Sequence, residues 1–142
     1  MFEETQKQGL LVRHYYGDTV RRFFVVGGAL MIATLPFVRD FLPTSIFAAL
    51  VAILVVGFFA GLANPRQRWV AGLNLLIAIA AFLIFEYVAV SRYFAGDNAP
   101  PLWFIILNQV LALDFFAALY YASKTLRGMT VGREGELLRG GK

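Results

Sequence analysis

The chain has 142 residues, of which 59% are apolar and only 15% are charged. A soluble domain is about 45–50% apolar and about 25% charged, and a chain of this length has too little interior to bury such an excess. The composition therefore predicts an integral membrane protein and excludes most classes of soluble enzyme. With no cysteine and one histidine, it also excludes disulfides and Cys-based metal sites, so we expect no metal and no cofactor.

Four segments are apolar enough to cross a membrane. A membrane-crossing helix needs about 20 mostly apolar residues to span about 30 Å of hydrocarbon, and the segments at about 22–39, 44–63, 69–91 and 101–123 fit this requirement. Short, proline-containing connections separate them, and short connections make consecutive helices antiparallel. The sequence therefore predicts an all-α, up-down-up-down four-helix membrane bundle over residues 19–123.

The two ends of the chain differ from this core. Residues 1–18 form a polar N-terminal segment, and Asp18 is the expected N-cap of the first helix. Residues 124–142 mix Gly, Arg and Glu with few apolar side chains, which is typical of a flexible tail or, at most, of a short surface helix.

The positive charges are distributed unequally between the two faces of the predicted bundle. Of the 13 Lys and Arg residues, eleven lie in the stretch up to Arg22, in the second connection and in the tail, whereas only Arg39 and Arg92 lie at the other two connections. Positive residues accumulate on the cytoplasmic side of membrane proteins. The sequence thus predicts a multi-pass protein of the cell (inner or plasma) membrane, of prokaryotic character, with both termini in the cytoplasm and the lipid bilayer as its first partner.

Asp114 is the most costly polar residue of the spans. It lies near the middle of the fourth span, where a charged side chain costs roughly 2.5–3.5 kcal/mol on insertion scales. Ala117 and Ala118 lie on the same helix face, and such small residues favour close helix packing. We therefore expect Asp114 to point at neighbouring helices, either as a structural hydrogen-bonding group or as part of a proton or cation path.

Four further polar side chains complete a candidate intramembrane polar or proton site: Glu86, Asn108, Gln109 and Asn74. Glu86 lies at about the depth of Asn108 and Gln109, so it can hydrogen-bond to either across antiparallel helices. Asp114 and Glu86 differ in depth by about 12 Å along the helices. A direct pair between these two carboxyl groups is therefore not expected.

Glycines mark two candidate packing surfaces. Gly57 and Gly61 form a GxxxG pattern in the second span, and Gly27 and Gly28 are adjacent in the first. Because glycine has no side chain, such positions let a second helix approach closely. For Gly57 and Gly61 we expect packing inside the bundle, with homodimerisation as the alternative.

The sequence contains no phosphate loop, metalloprotease or serine-hydrolase motif. We therefore expect a non-enzymatic assembly or accessory subunit that acts through helix packing, although a lipid-modifying activity stays open. Its protein partner would be a second copy or another membrane protein, and we expect no nucleic acid partner. The alternative function is a proton- or cation-coupled transporter of a small solute that uses Asp114 and Glu86.

Overall fold

The computed structural model describes residues 16–62 and 67–140, without the side chains of residues 132–137 and 139. Within this part the chain forms four α-helices and no strand, namely α1 (Gly17–Val38), α2 (Ile46–Gly61), α3 (Arg68–Tyr93) and α4 (Leu102–Gly140). The predicted all-α four-helix bundle is confirmed. Most of the predicted N-terminal segment, most of the second connection and the last two residues lie outside the described residues.

Three of the four helices are long and apolar enough to cross a membrane. They are α1 with its following turn (Gly17–Phe41), α3 (Arg68–Tyr93) and α4 as far as Val131. Helix α2 has 16 residues, so it is about 24 Å long, which is shorter than the hydrocarbon core of about 30 Å. Membrane crossing by α2 therefore stays a prediction.

The helix ends follow from local chemistry, with one correction. Ser45 caps α2, because its Oγ accepts a hydrogen bond from the backbone N–H of Ala48 at 3.4 Å. Gly96 has a φ of +61°, a left-handed conformation that lets the chain reverse between α3 and α4. The prediction that Asp18 caps α1 was wrong, because the helix already begins at Gly17. Asp18 lies in the first turn instead, where its negative charge interacts favourably with the positive end of the helix dipole.

The helices are arranged as a row in the spatial order α2, α1, α4, α3. Helix α4 packs extensively on α3 and also on α1, and α1 packs on α2. Between α2 and α3 the described residues make at most marginal contact. The expectation that connected helices are neighbours therefore holds for the first and last pairs but fails for the middle pair.

A regular buried stripe explains why α4 is central. Its members are separated alternately by four and three residues, the spacing that keeps side chains on one helix face: Phe104, Asn108, Leu111, Phe115, Ala118, Ala122 and Thr125. Phe115 lies where three helices meet, with its ring centroid 6.0 Å from that of Phe24 on α1 and 5.7 Å from that of Phe85 on α3. The core of the bundle therefore forms around α4.

Helix α4 extends beyond the predicted end of the fourth span. Where the sequence predicts that the helix ends near residue 123, the structure continues it to Gly140. Extending an existing helix is much easier than starting one. The Arg68 guanidinium of α3 donates a hydrogen bond to the backbone oxygen of Met129, which joins the added turns to α3. The Thr130 hydroxyl donates to the backbone oxygen of Leu126 in its own helix.

Candidate functional site

Asp114 lies against the backbone of α1 at Gly27. A Cβ atom added to Gly27 would lie only 2.7 Å from Oδ2 of Asp114 and 2.9 Å from Cζ of Phe115. The missing side chain at Gly27 therefore creates the space in which the carboxyl group fits. Helix α1 is the neighbour at which Asp114 is directed.

One oxygen of this carboxyl group is unusual in its surroundings. Oδ2 of Asp114 is buried and has no hydrogen-bond partner among the described residues. The Gly27 backbone and the Phe115 ring lie close to it. A buried polar atom without a partner costs free energy, so Oδ2 is an unsatisfied polar position near the middle of the predicted fourth span.

Glu86 has a defined partner on the other side of α4. The Gln109 side chain donates a hydrogen bond from Nε2 to Oε2 of Glu86, with a donor–acceptor distance of 2.8 Å. The estimated depths of the residues in the membrane had made a bond from Glu86 to either Asn108 or Gln109 feasible, and the bond to Gln109 is present. It joins α3 to α4 in a partly exposed position, and interhelical bonds of this kind are worth about 0.6 kcal/mol on average.

The structure does not bring Asp114 and Glu86 into one site. Asp114 lies in the contact between α1 and α4, whereas Glu86 bonds to Gln109 in the contact between α3 and α4. Gln109 and Asp114 are five residues apart, so they point in directions about 140° apart around the helix axis. The two carboxyl groups therefore form two separate polar positions.

The two buried asparagines have different environments. Asn108 donates from Nδ2 to the backbone oxygen of Phe104 in its own helix at 2.8 Å, so it does not bond to Glu86. Asn74 is only 7% exposed, and its Oδ1 accepts no hydrogen bond from any described residue. Asn74 also lines a small cavity between α1, α3 and α4.

Thr125 is a polar residue of the bundle that the sequence analysis missed. It is 3% exposed, its Oγ1 accepts the backbone N–H of Tyr16 at 3.1 Å, and its hydroxyl donates to the backbone oxygen of Tyr121 at 2.9 Å. Thr125 thus ties the start of α1 to α4. The signal was present in the sequence, because Thr125 continues the four-three stripe of α4 by one step beyond Ala122.

The glycine pairs also differ from each other. A Cβ at Gly28 would meet Val56 of α2 at 3.6 Å, which is ordinary packing contact, but a Cβ at Gly57 or Gly61 would meet no described atom within 4 Å. The expected packing of Gly57 and Gly61 inside the bundle is therefore not found among the described residues. Both glycines are exposed, whereas Ile53, Val56 and Ala60 of the same helix are buried. Gly57 is four residues after Ile53 and three before Ala60, so it lies at the edge of the buried face of α2.

No His, Cys, Asp or Glu cluster within residues 16–62 and 67–140 could hold a metal ion. The chemistry of the described site is thus limited to single carboxyl and amide groups between helices. Comparisons with protein families, with characterised proteins and with solved structures found no match to this chain.

Proposed function

We propose that this chain is a non-enzymatic assembly or accessory subunit of the membrane that acts through helix packing. The observation that carries the proposal is the outward position of Gly57 and Gly61, around which no described atom lies within 4 Å of an added Cβ. Lipid tails are as apolar as side chains, so helices associate in a membrane through close packing at small residues. A surface of this kind on α2 is suited to a second helix.

The position of α2 supports the same proposal. Helix α2 packs on α1 alone among the described helices, apart from marginal contacts, so much of its circumference faces outward. Large apolar side chains flank the two glycines, including Leu54 at 71% exposed and Phe58 at 63%. A partner helix would find a shallow depression at the glycines, with exposed apolar side chains beside it. That partner is a second copy of this chain or another membrane protein.

The experiment replaces the glycines with leucine and measures association in lipid vesicles by energy transfer between labelled copies, together with co-purification from native membranes. We expect Gly57→Leu and Gly61→Leu to abolish association without unfolding the chain. Gly72→Leu on α3 is the matched control, because a Cβ there also meets nothing within 4 Å but Gly72 belongs to no GxxxG pattern. A parent chain that is strictly monomeric and co-purifies with nothing would refute the proposal.

The second candidate function is a proton- or cation-coupled transporter of a small solute. The observation in its favour is Asp114, which lies near the middle of the predicted fourth span and whose buried Oδ2 lacks a partner among the described residues. Acidic groups inside membrane spans commonly belong to ion or proton pathways. Because Glu86 lies in a different helix contact, Asp114 would bind and release the proton or cation, and Glu86 would have a supporting role.

Flux measurements in proteoliposomes test this candidate. Asp114→Asn keeps the shape of the side chain but cannot exchange a proton, so it should abolish pH-dependent flux while the helical fold survives. Glu86→Gln is the comparison, since the amide can still hydrogen-bond to Gln109. Equal flux in the parent and in Asp114→Asn would rule out transport through Asp114.

For the orientation, we propose that both termini face the cytoplasm of the cell membrane. In the bundle, Tyr16 contacts Thr125 and Arg68 contacts Met129, so the start of α1, the start of α3 and the later part of α4 lie at one end. Lys124 is at this end as well, with its Nζ 5.0 Å from the centre of the Tyr16 ring. The abundance of basic residues at this end supports the assignment, and it also suits anionic lipid headgroups.

A further inference from the structure

A small polar cavity lies where α1, α3 and α4 meet near the start of α1. It is lined by Gly17, Val20, Val70, Ala71, Asn74, Ala122 and Thr125, and it offers about 10 Å³ to the centre of a water-sized sphere. One water molecule needs roughly 10–15 Å³ by the same measure. The space is therefore just sufficient for a single water.

The lining carries polar groups whose hydrogen bonding is incomplete. Oδ1 of Asn74 accepts no hydrogen bond from any described residue, although Asn74 is only 7% exposed. Gly17 is the first residue of α1, so its backbone N–H donates to no carbonyl of its own helix. Oγ1 of Thr125 accepts one bond and its hydroxyl donates another, which leaves one lone pair free.

We propose that this cavity is a hydration site, in which one bound water joins α1, α3 and α4. The water accepts the N–H of Gly17 and donates its two hydrogens to Asn74 Oδ1 and Thr125 Oγ1. A water with three hydrogen bonds is the usual arrangement for a buried site, and such bridges hold nearly as well as direct bonds. The inference is independent of the proposed function, since it concerns the cytoplasm-proximal helix junction and not the outer surface of α2.

The arrangement also assigns a role to Asn74 that its sequence position did not reveal. Helix α3 has no side-chain hydrogen bond to α1 among the described residues, and the water supplies the polar link between them through Asn74 and Gly17. Asn108 offers a matched comparison, because it is equally buried at 6% exposed but bonds to its own helix. Only one of the two asparagines should therefore contact water.

The first measurement is nuclear magnetic resonance of the full chain in detergent micelles, with detection of cross-relaxation between water and side-chain amide protons. We expect a rotating-frame cross-peak between water and the Asn74 amide protons, with the sign that direct dipolar contact gives. We expect no such cross-peak at the Asn108 amide. The sign separates a bound water from simple proton exchange. Equal signals at both asparagines, or none at Asn74, would overturn the proposal.

The second measurement is the thermal unfolding midpoint in a double-mutant cycle. Ala71→Val fills the cavity and expels the water, so it should lower the Tm and remove the water cross-peak, since the Asn74 amide then stays buried without a partner. In the Asn74→Leu background, Ala71→Val should lower the Tm much less, because the unpartnered amide is then absent. If the cavity is dry, Ala71→Val will raise the Tm or leave it unchanged in both backgrounds, and the hydration site is refuted.

Discussion

The contact between Gly27 and Asp114 provides a quantitative test of how closely α1 and α4 pack. In Gly27→Ala the new Cβ would lie 2.7 Å from Oδ2 of Asp114 and within 3.0 Å of two ring carbons of Phe115. Separations this short do not occur between real Cβ atoms and their neighbours, so the carboxyl group, the ring or the helix must move. Phe115 is fully buried and packs against rings of both α1 and α3, which restricts its movement.

Gly28→Ala is the control that isolates this steric effect. It lies on the same helix and is also buried, but its new Cβ would meet only Val56 at an ordinary 3.6 Å. Both variants gain the same helix preference, roughly 0.5–1 kcal/mol for alanine over glycine, so this contribution cancels in the comparison. Overpacking of a filled interior costs about 1–3 kcal/mol, and we expect Gly27→Ala to be less stable than Gly28→Ala by that amount.

The assay is reversible unfolding in mixed micelles, with the free energy of unfolding compared between the two variants and the parent. A further variant that combines Gly27→Ala with Asp114→Ala should recover part of the loss, since it removes one of the two groups in the way. If Gly27→Ala is as stable as Gly28→Ala, then α1 and α4 do not approach each other as closely as the structure has it. The argument for Asp114 as a group held against α1 would then fail.

Three further predictions concern topology and single hydrogen bonds. Because the chain has no cysteine, single substitutions Asn98→Cys and Ser123→Cys can be labelled with an impermeant maleimide on intact cells, and only the first should react if both termini are cytoplasmic. Gln109→Leu removes the bond to Glu86 and should lower the free energy of unfolding by about 0.6 kcal/mol and by no more than about 1.7 kcal/mol, so a larger loss in the same unfolding assay would contradict a purely local bond. Thr125→Val leaves the partly buried N–H of Tyr16 without its acceptor, and this should cost about 1 kcal/mol. It should also accelerate hydrogen exchange at that amide, whereas unchanged exchange would argue against the tie between α1 and α4.

The class of the fold was predictable because lipid imposes a simple rule. Every backbone polar group must be satisfied inside the membrane, so long apolar segments become helices, and composition and length are enough to find them. The end of the last helix was not predictable in the same way. The turns beyond the predicted end bond to Arg68, which is 61 residues away from Met129 in the chain, and no local pattern reports such a contact.

The site was only partly predictable, because depth can be estimated from sequence but direction around a helix depends on its neighbours. Depth alone identified Gln109 as a candidate partner of Glu86, and the bond is present. The same reasoning could not show that the Asp114 carboxyl group occupies the space beside Gly27, whereas no described atom lies within 4 Å of an added Cβ at Gly57. That difference follows from the spatial order of the helices, which places α2 at the edge of the row, and the short connections were equally compatible with a closed square.

The central place of α4 has a consequence for biosynthesis. Ribosomes deliver the chain from its N-terminus, so α1, α2 and α3 are synthesised before the helix on which α1 and α3 both pack. During that interval α3 has no extensive partner, and the face of α1 that will receive Phe115 has none either. Insertion of the last helix is thus the step that closes the tertiary structure, and a nascent chain stalled before residue 102 should remain a loose set of helices that quality-control proteases can recognise.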